Sequence, residues 1–294
     1  AVVQPAALET DFVGRRLFIA EVQERKLPRR FHDCAVEDAR PAAKRSAGAG
    51  IDHEILVNLV LHRTGIDPGL VVTAGVERNI SLKLTQLGLD VDREAAYRNA
   101  LAIGRKAMEA GSYFWVDMEQ SSYVDVTLDM VSRLRQDVPR IGVALQAYLY
   151  RTKDDAARMI REGIGIRLVK GAYKEPESVA FPQKSDVDAN YVTLAKTMMA
   201  PESRAHGSRA VFGTHDTVII NTLERHGDAA GIPTTDYEIH MLYGIQRGEQ
   251  RRLAKDRKNC RVLIAYGAYW FPWYRRRLAE RPANVWFVAK SIFG

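Results

Sequence analysis

The chain has 294 residues, 46% of them hydrophobic, which gives ample apolar material for one large α/β barrel or two modest domains. Its 43 Lys and Arg against 36 Asp and Glu leave a formal charge of +7, which suits an anionic ligand, an anionic membrane surface or nucleic acid without choosing among them. Two cysteines, Cys34 and Cys260, fit a reducing compartment and exclude a disulfide framework, no apolar run approaches the roughly 18 residues of a membrane span, and the N-terminus lacks a signal-peptide pattern.

Residues 1–50 are rich in Ala and Arg and read as a helical N-terminal extension. A helix is predicted over 11–26, ended by Pro28, and Ser46-Ala47-Gly48-Ala49-Gly50 reads as a turn. The apolar segment 51–61 (IDHEILVNLVL) is read as a first strand that opens a catalytic domain over 51–294. From residue 78 the pattern becomes regular. Strands are predicted over 79–84, 113–118, 141–145, 165–169, 209–213, 237–241 and 261–265. Helices are predicted over 92–110, 121–137, 152–162, 186–200, 216–230, 246–257 and 271–281. Alternating strands and helices imply a parallel sheet, and eight such units match a (β/α)8 barrel. The structural alternative is a doubly wound open sheet, which usually carries a G-x-G-x-x-G turn not found here.

The last predicted helix carries Pro272 in its first turn, and Pro282 disfavours helix at Arg281. Arg276 and Glu280 are four residues apart and share a face, with Arg277 about 100° round. Two adjacent guanidinium groups suit a small carboxylate or phosphate, whereas an ordinary solvated helix would carry one surface ion pair of little worth.

Active sites of barrels form at the C-terminal ends of the strands. Those ends carry Lys83, Asp117 with Glu119, Gln146, Arg167 with Lys170, Thr214 with His215, and His240. A single strand-end Lys or His is usually solvated or structural, but polar groups at the same end of six or seven strands are harder to assign to chance. The cluster is cationic on balance, and Gly171-Ala172 leaves backbone open to close approach by a phosphate-bearing cofactor. No Cys/His spacing suggests a metal, and no Ser or Cys sits in an elbow motif.

The ordered set Ile80-Ser81-Leu82-Lys83-Leu84-Thr85, Val116-Asp117-Met118-Glu119, Leu145-Gln146-Ala147-Tyr148, Arg167-Leu168-Val169-Lys170-Gly171-Ala172-Tyr173, Thr214-His215-Asp216, Leu242-Tyr243-Gly244 and Arg276-Arg277-x-x-Glu280 resembles bacterial monofunctional proline dehydrogenase. The resemblance implies a distorted (β/α)8 barrel that binds FAD and oxidises L-proline to Δ1-pyrroline-5-carboxylate, with electrons passed to a membrane quinone. It implies Asp117 and Arg167 as the catalytic pair, with Arg167 near the flavin. Lys83, Leu82, Arg276, Arg277, Leu242 and Leu263 would contact substrate, and Glu280 would hold the arginine pair. Met118, Gln146, Arg167, Lys170, Gly171, Ala172, Thr214 and His215 would line FAD. Three positions depart from the family pattern: Leu263 stands where tyrosine is expected, Trp273 where tyrosine or another small aromatic is expected, and His240 where glutamine is expected.

A rival enzyme reading is a barrel aldolase with Lys170 as the Schiff-base lysine. A nucleic-acid-binding reading finds no motif, and the cations are interspersed with acids. The charge and the family resemblance together imply a cytoplasmic protein that touches an anionic membrane surface transiently.

Overall fold

The computed structural model describes residues 18–23, 79–242 and 245–266. Eight strands form a closed barrel in chain order: β1 (Phe18–Gln23), β2 (Asn79–Leu82), β3 (Tyr113–Val116), β4 (Ile141–Gln146), β5 (Gly165–Val169), β6 (Ala210–Gly213), β7 (Tyr237–Leu242) and β8 (Cys260–Tyr266). Strands β2 to β8 pair in parallel. The helices that return the chain between them are α1 (Arg93–Glu109), α2 (Val124–Arg135), α3 (Thr152–Arg161), α4 (Lys184–Met199), the short α5 (Pro201–Ala205), α6 (Thr217–Ala229) and α7 (Arg247–Lys255). The seven predicted strands from residue 79 onward and six of the seven predicted helices fall on these elements.

The first strand departs from expectation. Phe18–Gln23 lies inside the segment read as helix over 11–26, yet it is β1, antiparallel to both β2 and β8. The physical reason is the pair of edges that seven parallel strands leave open. A strand between them satisfies the backbone N–H and C=O groups of both, a demand that local helix propensity cannot outweigh. The segment 51–61 and the helix predicted over 271–281 lie outside the described residues.

Alternation along the strands builds two layers. Phe114, Val116, Val143, Leu168 and Phe212 face out and join the main core beneath the helices. Strands β3 and β4 are buried at every position, as expected for a parallel sheet covered by helices. Helix α1 presents Ala96, Ala100, Ile103, Gly104 and Ala107 to this core. A Cβ on Gly104 would lie 2.9 Å from the Val138 side chain, so a smaller residue lets helix and sheet approach. Asp92 caps α1, and Asp216 caps α6 by accepting from the N–H groups of Val218 and Ile219.

Candidate active site

The inner layer closes the barrel from below. Tyr113 and Trp115 stack with ring centroids 4.9 Å apart and pack with Val211. Glu238 accepts from Arg209 and Arg261, and lies 3.1 Å from His240 Nε2. Burial pushes the Glu238 carboxyl up, but His240 and Arg209 outweigh it and leave the group well below the usual carboxylate range. His240, read from sequence as a strand-end residue, belongs to this floor. Strand β7 runs on to Leu242, and His240 faces inward, its ring centroid 6.3 Å from that of Trp115 in an edge-on contact. Leu82 is a second correction. It pairs with Val116 and faces the helix layer, because period two sends it to the opposite side from Ser81.

Above the floor, β2, β3 and β5 supply a polar side. The Arg167 guanidinium lies 5.0 Å from the Trp115 ring centroid. Its Nη2 donates to Ser81 Oγ at 2.6 Å and to the Asp117 carboxylate, and Ser81 Oγ donates to Asp117 Oδ1 at 3.0 Å. The three groups thus close a ring of hydrogen bonds that fixes the guanidinium. Lys83 Nζ donates to the Tyr173 hydroxyl at 2.7 Å, and its side chain has no carboxylate partner among the described residues. Glu119 accepts from the Thr85 N–H and hydroxyl; burial raises its carboxyl despite those bonds.

Strands β7 and β8 supply an apolar side. Leu242 and Leu263 pair across the two strands on the face shared by His240 and Arg261, both half-buried. The ends of β4, β5 and β6 complete the mouth. Gln146 donates to the Glu119 carbonyl at 3.0 Å, while its buried Oε1 has no donor among the described residues. Gly171 has φ +115°, and a Cβ there would sit 2.5 Å from the Tyr148 ring. Met118 and Thr214 are buried, and Ala172 is exposed. His215 Nε2 accepts the Leu242 N–H at 2.8 Å, so the ring hydrogen resides on Nδ1. Burial lowers its pKa to about 4, and the imidazole is neutral near pH 7.

Lys170 is engaged by two carboxylates. Its Nζ lies 2.5 Å from Asp188 and donates to Asp216 at 2.7 Å. Burial raises both carboxyls, but Lys170 and Lys184 more than offset it and leave them lowered. A lysine engaged by two carboxylates is poorly placed as a nucleophile, which disfavours the aldolase reading. Arg276, Arg277, Glu280 and Trp273 lie outside the described residues. Among the described residues no cluster of His, Cys, Asp and Glu could hold a metal ion. No helix among them is long and apolar enough to cross a membrane.

Three residues that support the site were not singled out from sequence: Ser81, Trp115 and Tyr173. Period two offered a signal for the first two. Ser81 precedes Lys83 by two residues, and Trp115 precedes Asp117 by two.

An α/β barrel whose mouth gathers a lysine with no carboxylate partner among the described residues, a fixed Arg–Asp pair and two leucines defines a barrel enzyme. The family model described as proline dehydrogenase matches residues 23–290, so the chain belongs to the proline dehydrogenase family and is an oxidoreductase of proline metabolism. It is 38% identical to "Proline dehydrogenase 2" of Bacillus subtilis over 214 residues, 73% of this chain and 69% of that one. It is 38% identical to "Proline dehydrogenase" of Deinococcus radiodurans over 224 residues, 74% and 71% of the two chains. The fold matches a mutant of Bradyrhizobium japonicum proline utilization A (PutA) with a TM-score of 0.63 at 24% identity, over 72% of this chain and 25% of that one.

Proposed function

We propose that the chain oxidises L-proline to Δ1-pyrroline-5-carboxylate with FAD held at the C-terminal mouth of the barrel. The observation that carries this is the two-sided mouth. The Lys83 ammonium and the Arg167–Asp117 pair lie on one side, and Leu242 and Leu263 on the other. L-Proline has the complementary halves, a carboxylate and an apolar ring.

The residues at the ends of β4, β5 and β6 suit a flavin. Gln146 Oε1 is a buried acceptor with no donor among the described residues. Gly171 keeps the backbone open where any side chain would strike Tyr148. His215 is a neutral donor through Nδ1. Met118, Gln146, Arg167, Lys170, Gly171, Ala172, Thr214 and His215 would hold the cofactor. FAD, when bound, supplies the two-electron acceptor for the carbon next to the proline nitrogen.

The chain's own residues bind and orient. Lys83, with Arg276 and Arg277, binds the carboxylate, and Glu280 orients the arginine pair. Fixing the carboxylate fixes the ring carbon that reacts. Arg167, held by Asp117, Ser81 and the Trp115 face, keeps a fixed positive charge at the mouth. Leu242 and Leu263 pack on the ring and exclude water from it. A membrane quinone is the proposed electron acceptor. The net charge of +7 supports transient contact of a cytoplasmic protein with an anionic membrane surface.

The test is chemical. Acid extraction of the purified protein should release FAD, and L-proline with an artificial acceptor should give an imine trapped by an aromatic amino-aldehyde. A protein that holds no FAD after reconstitution and forms no imine overturns the proposal.

A further inference from the structure

The connection from β5 to α4 does not leave the barrel directly. It crosses the ends of β4 and β3 as a strap. Its second half is stitched by main chain to the turn that follows β4: Tyr150 N–H donates to Val179 O at 3.1 Å, and Phe181 N–H to Tyr148 O at 2.8 Å. Its first half carries Tyr173 to Lys83 and is held across the mouth by Glu175. One Glu175 oxygen accepts the Ser121 N–H at 2.7 Å, and the other accepts the Ser121 hydroxyl at 2.6 Å. Ser121 opens the short 3-10 turn after β3. Two residues earlier, the Tyr173 hydroxyl accepts from Lys83 Nζ at 2.7 Å, and the ring centroid lies 5.4 Å from the ammonium.

Lysine is a point charge on a flexible four-carbon stem. Its ammonium binds a carboxylate in one pose only if something else fixes it. Here the hydrogen-bond partner is a phenol on a loop, so the loop must itself be fixed. The clasp does this and also engages the Glu175 carboxylate with donors away from Lys83.

We propose that the Glu175–Ser121 clasp sets the place of the Tyr173 phenol and, through it, of the Lys83 ammonium. Glu175 and Ser121 are then positioning residues for the substrate carboxylate. This rests on Lys83 binding that carboxylate, as proposed above. A clasp that merely caps the 3-10 turn would alter stability and leave carboxylate binding untouched.

The experiment uses the full-length holoenzyme and two dead-end probes, cyclopentanecarboxylate and its neutral counterpart cyclopentanecarboxamide, as competitors of L-proline. Ser121→Ala removes one of the two bonds without touching the backbone. It should weaken the carboxylate about three- to tenfold and leave the amide unchanged. Glu175→Ala should weaken the carboxylate further, and Glu175→Gln, which keeps one acceptor oxygen, should fall between. Added to Lys83→Met, Ser121→Ala should have no further effect, because the two act in series. If Lys83→Met weakens the carboxylate but Ser121→Ala and Glu175→Ala do not, the clasp proposal falls and the role of Lys83 stands. If Lys83→Met leaves carboxylate binding unchanged, both fall. Equal weakening of carboxylate and amide, or a lowered melting temperature alone, also overturns the clasp proposal.

Discussion

Removing the Asp117 carboxylate should destabilise the barrel and misplace Arg167 together. Arg167 is 7% exposed and Asp117 22% exposed, so the pair sits largely out of water. Asp117→Ala deletes an acceptor shared by Arg167 and Ser81, while Ser81 and the Trp115 face still contact the guanidinium. Breaking a buried pair from one side costs roughly 3–5 kcal/mol, and the residual exposure of Asp117 puts the expected loss near 3 kcal/mol. Asp117→Asn keeps an oxygen for Ser81 and Arg167 but loses the charge assistance, for a loss of about 1 kcal/mol. Urea unfolding at one saturating FAD concentration gives these numbers, with the cofactor linkage held constant. If the same bonds hold Arg167 in its working orientation, kcat/KM for L-proline falls by up to about a hundredfold in the alanine variant. An Asp117→Ala protein within about 0.5 kcal/mol of the parent would show that the three groups are not a coupled buried unit.

Arg276→Met or Arg277→Met should raise KM for L-proline about 30- to 150-fold, the loss of one charge-assisted bond, while Arg275→Met changes little; an unchanged KM places the pair on a solvated face. The folded pKa of His215 lies near 4 against 6.5 unfolded, so the native state binds fewer protons between these values. Stability from this group is complete above about pH 6.5 and falls as pH drops toward 4, by about 3 kcal/mol in all. His215→Gln should remove that slope from pH-dependent urea unfolding, and an unchanged slope refutes the burial argument. Gly171→Ala forces a side chain into φ +115° and against the Tyr148 ring. It should cost about 1–3 kcal/mol and deplete bound flavin, whereas full flavin occupancy would show that the loop yields cheaply. Leu263→Tyr should raise kcat/KM for L-proline by an amount worth about 1–3 kcal/mol and sharpen preference over hydroxyproline; lower activity on both means that the local structure is built around leucine.

The parallel sheet was legible because its signals are local. The runs YFWV of β3 and IGVALQ of β4 are continuous, apolar and short, and helical spacing fills the gaps between them. Strand β1 was not legible, since Phe18–Gln23 is a strand by virtue of two distant edges that its own neighbours in sequence do not reveal. The polar strand ends could be read as a cluster, but the pairing among them could not. Asp188 on α4 and the cap Asp216 neutralise Lys170 from two separate elements, and nothing near Lys170 in sequence announces either. His240 was read as a strand end, but β7 runs two residues beyond it to Leu242, and the side chain packs on the floor. Tyr173 lies in the motif already read, yet its bond to Lys83 depends on a strap held by Ser121 and by the backbone of the turn after β4.

Anaerobic addition of L-proline to the purified protein tests the central claim most directly. A flavin bound at this mouth, beside a carboxylate held on Lys83, should lose its visible absorbance on addition of L-proline and regain it with a quinone. The Lys83→Met variant should need far more L-proline for the same bleaching. A yellow protein whose spectrum L-proline does not change at any concentration would contradict the claim.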